Sequence, residues 1–361
     1  MQETSSTPLL SICNLRVSFA AETGPVCVLD GINLRVPRGK TVALVGESGC
    51  GKSVTALSIL RLLPGAPTCI RSGEILFHEA PGQQQVDLFT LPERALRRIR
   101  GNRIAVVFQE VQSALNPVFS VGMQIIEAIT LHRGLKGQPA RDLAVDLLDR
   151  VGIPAARQRM NDFPHQLSGG MRQRVMIAMA LAGAPDLLIA AEPTTALDVT
   201  IQLQILDLLK ELQREAGRSL LLITHDFGVV ADIADEVYVM YAGRIVEHGP
   251  TPTILTTPAH PYTKALLRCT PRLSWDAGAL EVIPGQVPRP AHPPSGCRFH
   301  PRCALTRSAA LASTAARTFS GDGADTILRR CVEEYSGEPS GTPTLRLLHP
   351  DHFVACWEAA P

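Results

Sequence analysis

The stretch KTVALVGESGCGKS, residues 40–53, decides the fold. Its first half is an apolar run typical of a buried strand, and the residues that follow it as far as Leu63 have the spacing of a helix. The octet GESGCGKS between them fits the pattern G-x-x-x-x-G-K-S/T in the strand–loop–helix context that this pattern requires. The sequence therefore predicts an α/β fold with a site for a nucleoside triphosphate.

The backbone and the side chains of this loop have different predicted roles. Its glycines let successive N–H groups face a phosphate chain, with the partial positive charge of the helix N-terminus beneath them. Lys52 can reach the β- and γ-phosphates, and the Ser53 hydroxyl can bind Mg²⁺. The predicted nucleotide contacts are Gly46, Glu47, Ser48, Gly49, Cys50, Gly51, Lys52 and Ser53.

Length and composition narrow the class of protein. The 361 residues suit one large domain and a smaller one, and a hydrophobic fraction of 45% with 19% charged residues is typical of a globular chain. A net charge of +1 gives no general attraction to nucleic acid. We expect no membrane-spanning segment and no signal peptide, so contact with a membrane should come through partners.

The chain on either side of the phosphate loop adds two candidate site residues. Residues 9–19 and 28–36 read as an antiparallel hairpin whose first member is an edge strand. Phe19 at its end could stack on adenine, or it could be an ordinary core residue. Residues 103–108 read as a strand that ends at Gln109, which could bridge a metal ion and the attacking water or simply be an exposed polar residue.

A second glycine-rich turn lies within the predicted helical subdomain, at about 110–182. In LSGGMRQR, residues 167–174, Ser168 is a good N-cap, and Gly169 and Gly170 leave their backbone N–H groups unshielded. This turn is either an ordinary capped helix or a second helix N-terminus that faces an anion. The second reading makes sense if the turn serves a nucleotide held mainly by another copy.

Two further predicted strands end in residues suited to hydrolysis. Residues 186–192 end in Glu192, which can orient the attacking water, but Ala191 occupies the position where an acid would hold Mg²⁺. Residues 219–224 lead to His225, which can contact the γ-phosphate and steady Glu192, or be a structural histidine.

The C-terminal part of the chain differs in composition. Ten of the 28 prolines fall within residues 250–294, which predicts a surface-wrapping segment and a domain boundary near 250. Four thiols can hold Zn²⁺ or an iron–sulfur cluster, or remain unligated, while disulfides are disfavoured in the cytosol. The four cysteines concerned are Cys297, Cys303, Cys331 and Cys356.

Taken together, these stretches resemble the ATPase subunits of ABC transporters. In family order, GESGCGKS resembles the Walker A loop, Gln109 the Q-loop, LSGGMRQR the signature motif, LLIAAEP the Walker B strand, Asp198 the D-loop aspartate and His225 the switch histidine. A narrower resemblance, to the oligopeptide/dipeptide importer ATPases, is carried by SALNP (113–117), EPTTALDVT (192–200), HPYTKALL (260–267) and the cysteine-bearing tail.

The resemblance implies a P-loop ABC ATPase domain over residues 1–250, with a RecA-like core, an antiparallel β subdomain and a helical subdomain. Residues 251–361 would form the importer-type extension. Two subunits would pair head to tail, and Ser168, Gly169, Gly170 and Gln173 would act on the partner's ATP. Glu192, His225 and Gln109 would be catalytic, with Ser53 and Gln109 on Mg²⁺.

The resemblance also implies partners and a place in the cell. The partners would be a second ATPase subunit, expected to be a paralogue, two transmembrane permeases and an extracytoplasmic solute-binding protein. The chain would lie peripherally on the cytoplasmic face of the membrane. The four tail cysteines would bind a 4Fe–4S cluster, although this chain departs from the family by a long Ala/Ser/Thr-rich insertion between Cys303 and Cys331.

Ala191 is the main departure in the ATPase domain, since the family has Asp there. ATP binding should survive, whereas Mg²⁺ positioning and hydrolysis at this chain's own site are in question. A degenerate site in a heterodimer and an engineered change both explain the alanine. The alternative function is a hydrolysis-impaired regulatory subunit that completes a partner's active site.

Overall fold

The computed structural model describes residues 7–79, 85–108, 114–193, 199–269, 282–311, 318–319, 327–332 and 342–359. Strands and helices are interspersed along the chain up to residue 250, and the larger sheet is mostly parallel, as expected of an α/β protein.

A four-stranded antiparallel sheet forms the first layer. Its order is β2-β1-β4-β5, which confirms the predicted hairpin of β1 and β2. The predicted edge position of the first strand is wrong, because β1 pairs with β4 on its other side. Strand β4 follows the phosphate loop in the chain. A pairing between two strands that lie so far apart in the sequence leaves no local sequence pattern. The strands are β1 Leu10–Phe19, β2 Val26–Val36, β4 Cys69–Phe77 and β5 Val86–Asp87.

An eight-stranded sheet carries the predicted site. Its order is β13-β14-β10-β9-β3-β8-β7-β6, and the pairs from β9 to β6 are parallel. Parallel strands bring their carboxyl ends to one edge, where ligands bind in such sheets. The strands are β3 Thr41–Val45, β6 Ile104–Val107, β7 Leu187–Ala191, β8 Ser219–Thr224, β9 Glu236–Tyr241, β10 Arg244–Pro250, β13 Arg346–His349 and β14 His352–Val354. A separate pair is β11 Thr318–Phe319 and β12 Ile327–Leu328.

The helices follow the predicted periodicity. In α4, Ala140, Ala144, Leu147 and Leu148 form one buried face at the spacing of an amphipathic helix. The helices are α1 Lys52–Ile59, α2 Glu93–Ile99, α3 Val121–Arg133, α4 Gln138–Arg150, α5 Ala156–Arg159, α6 Gly169–Leu181, α7 Val199–Ala216, α8 Phe227–Ile233, α9 Thr251–Thr256, α10 Pro261–Cys269, α11 Ala304–Leu311 and α12 Arg329–Val332. In the part of the chain that the structure describes, none of them combines the length and apolar character needed to cross a bilayer.

The residues after 250 share a sheet and a core with those before it. Strand β14 pairs with β10, and Tyr262 and Phe299 belong to the same buried cluster as Val45 of β3 and Tyr241 of β9. The boundary near residue 250 stays a prediction, but the C-terminal extension is not a detached unit.

Candidate nucleotide site

The phosphate loop runs from the end of β3 to the start of α1 in a conformation that requires glycine at two positions. Gly46 has φ +155°, and a Cβ there would lie 2.2 Å from the carbonyl oxygen of Met240. Gly51 has φ +114°, and a Cβ there would lie 2.7 Å from Leu29 Cδ2. Glycine at both positions lets the loop lie tightly against the end of β9, because a Cβ would clash there and other residues disfavour these dihedral angles.

Lys52 and Ser53 lie at the start of α1 and both line the cleft described below. The Lys52 side chain is buried, and its Nζ donates to the carbonyl oxygens of Gly46 (2.7 Å) and Glu47 (3.1 Å). Ser53, the next residue, is exposed at the first turn of α1. The Cys50 side chain is buried in the apolar core, and burial raises the pKa of its thiol. Its predicted contact with a phosphate, through the backbone, stays a prediction.

A cleft of about 730 Å³ brings most of the predicted residues together. It joins the phosphate loop to the ends of β7 and β8. The residues that line it are Val28, Gly46, Glu47, Ser48, Gly49, Gly51, Lys52, Ser53, Val54, Glu192, His225, Asp226, Leu266 and Cys269. Five lining residues were not predicted from the sequence, although HPYTKALL, which contains Leu266, carried part of the family resemblance: Val28, Val54, Asp226, Leu266 and Cys269.

Glu192 and His225 face each other where β7 and β8 end. His225 Nδ1 lies 3.6 Å from Glu192 Oε1, and the Glu192 side chain is much less exposed than that of His225 (17% against 62%). Glu192 has φ +47°, an unfavourable region for a residue with a side chain, and its N–H donates to Ile223 O at 2.8 Å. A strained residue at a strand end in a cleft is typical of a functional position.

Ala191 is the last residue of β7 and pairs with Ile223 of β8. Its methyl group offers no oxygen to a cation. Asp226, which also lines the cleft, uses its carboxylate to cap α8, accepting from Gly228 N at 2.7 Å. Ser53 lines the same cleft, and its role as a Mg²⁺ ligand stays a prediction.

Of the predicted site residues, Phe19 does not line the cleft, and two others lie outside the described ranges. Phe19 is half-buried at the end of β1 and packs against the core of the first layer, and it does not line the cleft. Gln109 and Asp198 lie outside the described residues. Their roles stay predictions.

The signature turn begins a helix, α6, and does not line the chain's own cleft. Ser168 caps α6, accepting from Met171 N at 3.3 Å, and Ser168 and Gly169 are exposed without lining the cleft. Gly170 packs against Ile201, where a Cβ would lie 2.7 Å from Ile201 Cγ2. The side chain of Gln173 is buried, so it lies in the interior rather than at the exposed turn where contact with a partner was predicted.

The C-terminal extension contacts the phosphate loop at Glu47. The backbone N–H of Glu47 donates to the Tyr262 hydroxyl at 2.9 Å. Its carboxylate accepts two hydrogen bonds from the Arg302 guanidinium, from Nη1 to Oε2 at 2.8 Å and from Nη2 to Oε1 at 3.0 Å. No local sequence pattern predicts these contacts, since Arg302 is 255 residues from Glu47.

The four tail cysteines lie close enough to influence one another, and none of the nine cysteines is in a disulfide. Burial, and then the neighbouring thiols, raise the pKa of Cys297 to about 12 and that of Cys331 to about 11. Burial also raises the pKa of Cys303 and Cys356. Within the described ranges, however, no three His, Cys, Asp or Glu side chains are placed to hold a metal ion. The predicted cluster is therefore not supported by the side-chain geometry.

Comparison with known proteins identifies the family. Residues 29–195 match the family described as ABC transporter, and residues 246–309 match the family described as the C-terminal region of oligopeptide/dipeptide transporters. A Brucella melitensis protein named as a peptide import ATP-binding protein is 52% identical over 316 residues, which cover 86% of this chain and 93% of that protein. The chain belongs to the ABC transporter ATP-binding family. A similarly named Brucella abortus protein is 48% identical over 306 residues, covering 85% of this ABC chain and 90% of its own length.

Solved structures show the same P-loop ABC ATPase fold. The ABC chain is similar to the ATP-binding cassette MJ0796, solved as a dimer in a post-hydrolysis state with ADP and Pi, with a TM-score of 0.59 and 27% identity. That similarity covers 67% of this chain and 98% of MJ0796. CbiO1 from Clostridium perfringens, described as part of an ABC transporter complex, gives a TM-score of 0.57 and 28% identity over 69% of this chain and 91% of its own.

Proposed function

We propose that this chain is the ATP-binding and ATP-hydrolysing subunit of an ABC importer for oligopeptides, dipeptides or related solutes. The observation that carries the proposal is one cleft that joins the phosphate loop, Lys52, Glu192 and His225. The peptide class is supported by the match of residues 246–309 and by the names of the relatives.

The phosphate loop, Lys52, Ser53, Glu192 and His225 each have a role in this proposal. The loop N–H groups hold the phosphates of ATP, and Lys52 neutralises the β- and γ-phosphates. Ser53, with Gln109, would hold Mg²⁺, which neutralises phosphate charge when bound. Glu192 orients the attacking water and accepts its proton, while His225, beside Glu192, contacts the γ-phosphate.

The second ATPase subunit completes this site in our proposal. The exposed Ser168 and Gly169 do not line the cleft of their own chain, which supports a role on the nucleotide of an opposing subunit. The dimeric cassette among the similar structures supports the same arrangement. Two permeases, a solute-binding protein, a paralogous partner and the cytoplasmic face of the membrane complete the proposed assembly.

Ala191 favours a second candidate, a regulatory subunit that binds ATP but hydrolyses it poorly at its own site. A methyl group cannot help to position Mg²⁺, while the rest of the cleft remains suited to ATP. In this case the exposed Ser168–Gly169 turn completes the partner's active site, and the partner performs most of the hydrolysis.

The test begins with the purified full chain and a fluorescent ATP analogue, with Lys52→Ala as the control. We expect the wild type to bind and Lys52→Ala to lose affinity. Affinity purification in detergent should then recover permease subunits, and the assembled complex should hydrolyse ATP. Recovery of nucleic acid or ribosomes instead would contradict the importer proposal. A wild-type chain that binds no ATP would contradict both candidates.

The proposal that the four tail cysteines bind a 4Fe–4S cluster rests on the family resemblance alone, since the described side chains are not placed to hold a metal ion. Iron and sulfide analysis of anaerobically purified chain, with Cys356→Ser as the comparison, tests this. A colourless, iron-free wild type would leave them as unligated thiols.

A further inference from the structure

We propose that Arg302 and Tyr262 of the C-terminal extension are positioning residues of the phosphate loop, so that the ATP affinity of this site depends on the extension. The inference rests on the proposed ATP site and goes beyond it. It assigns a task to residues outside the motifs of the ATPase domain.

Glu47 is held at all three of its polar groups. Its N–H donates to the Tyr262 hydroxyl, and its carboxylate is paired with Arg302. Its carbonyl oxygen accepts from Lys52 Nζ at 3.1 Å. The residue that the extension fixes is therefore also bonded to the lysine that serves the phosphates.

The charge of Glu47 explains why it needs Arg302. Glu47 lines the cleft, and an unpaired carboxylate this close to the phosphate loop would repel the phosphates of ATP. Arg302 neutralises it with a two-point ion pair, and the Arg302 side chain is only 5% exposed, so water weakens this interaction little. Arg302 is itself oriented, because its Nε donates to Pro284 O at 2.9 Å and its guanidinium lies over the Tyr241 ring.

The extension also supplies a wall of the cleft. Tyr262, Leu266 and Cys269 recur along α10 at the spacing of one helix face, and Leu266 and Cys269 line the cleft. Tyr262 is fully buried between Tyr241 and Phe299, with ring centroids 4.6 and 5.3 Å away. These aromatic contacts hold the ring in place, so the hydroxyl of Tyr262 has a fixed position against the loop.

Arg298 provides a matched control. It lies four residues before Arg302 in the extension, and its side chain is 12% exposed. Its guanidinium donates to Asp30 and to the carbonyl oxygen of Ala242 instead of to Glu47. If the arginines only fasten the extension, loss of either should have the same effect on ATP binding.

The experiment compares the full-length variants Arg302→Met, Arg298→Met and the double variant Glu47→Gln/Arg302→Met. A fluorescent ATP analogue gives Kd, and thermal melting gives stability. We expect Arg302→Met to weaken binding about tenfold because the Glu47 carboxylate is left unpaired. The double variant should recover most of this loss, and Arg298→Met should bind like the wild type even where its melting temperature falls.

Wild-type affinity in Arg302→Met, or no recovery in the double variant, would overturn the inference. If Arg302→Met does not fold, Tyr262→Phe decides, since it removes a single oxygen from a buried ring. A loss of affinity of about threefold or more supports the positioning role, because the Glu47 N–H then lacks its partner, and unchanged affinity overturns it. A wild type that binds no ATP would instead reject the proposed function.

Discussion

His225 Nδ1 lies 3.6 Å from Glu192 Oε1, across the ends of two adjacent parallel strands. Strands β7 and β8 fix both backbones, and the positive φ of Glu192 turns its side chain out of the sheet alternation. The pair that would orient the attacking water is therefore in place, although Ala191, one residue earlier, contributes no metal ligand. Water orientation and metal positioning are thus separated in this chain, and each can be tested alone.

The first prediction concerns a substitution that restores the missing acid at position 191. Ala191→Asp should raise the ATPase rate of the assembled transporter by about tenfold or more, because a carboxylate helps to hold Mg²⁺ against the phosphates. ATP affinity should change little, since the phosphate loop is untouched. Steady-state phosphate release measures the rate, and Ala191→Asn is the control of equal size without charge. A rate no higher than that of the parent would contradict this prediction.

The second prediction concerns Glu192 in the Ala191→Asp background. Glu192→Gln should slow hydrolysis about 100-fold while ATP binding persists, because the amide cannot accept a proton from water. Single-turnover assays separate the two effects, and Glu211→Gln, an exposed position on α7, is the control. Equal rates in Glu192→Gln and its parent would show that another group activates the water.

The third prediction is a dependence of stability on pH. Burial lowers the pKa of His260 to about 3, with a smaller effect from Lys264. Its Nδ1 accepts from Tyr262 N at 3.1 Å, which requires the neutral ring. Below about pH 6.5 His260 binds a proton in the unfolded chain but stays neutral in the folded chain. The free energy of unfolding should therefore fall by about 1.4 kcal/mol per pH unit as the pH is lowered from 6.5 to 3.

Urea midpoints at pH 7, 6 and 5 measure this effect. His260→Gln should flatten the decline, since glutamine keeps an acceptor and does not titrate, whereas the exposed His165→Gln should keep the wild-type slope. A His260→Gln variant as acid-sensitive as the wild type would argue against the assignment.

The fourth prediction concerns a buried pair in the extension. Glu247 and His352 are both fully buried, with His352 Nε2 2.7 Å from Glu247 Oε1. His352→Ala should lower the free energy of unfolding by about 3 kcal/mol, through the lost hydrogen bond and the cavity left behind. Urea denaturation measures it. His349→Ala, at an exposed position in the same hairpin, should be near neutral, and an equal effect of both would count against the pair.

The parts of this protein that depend on local sequence were predictable. The phosphate loop, Glu192 and His225 follow from glycine spacing and from polar residues at the ends of apolar runs, and the structure gathers them in one cleft. The capping of α6 by Ser168 was equally readable.

The parts that depend on distant pairings were not predictable. Strand β1 lies inside its sheet because β4 pairs with it on the side away from β2. The contact of Arg302 with Glu47 joins residues 255 positions apart. The burial of the Cys50 side chain depends on how the loop turns against the core. No periodicity in a single sequence encodes such contacts.

The pairing of β14 with β10 has a consequence for how this protein can be divided. The Glu247 carboxylate accepts from Ala259 N, His260 N and His352, all of which come from the extension. A protein cut after residue 250 would leave β10 without its partner strand β14 and the Glu247 carboxylate without these donors, and unpaired strand edges of this kind recruit other chains. Proteolysis or gene fission at that point would therefore release an aggregation-prone fragment instead of an independent ATPase domain.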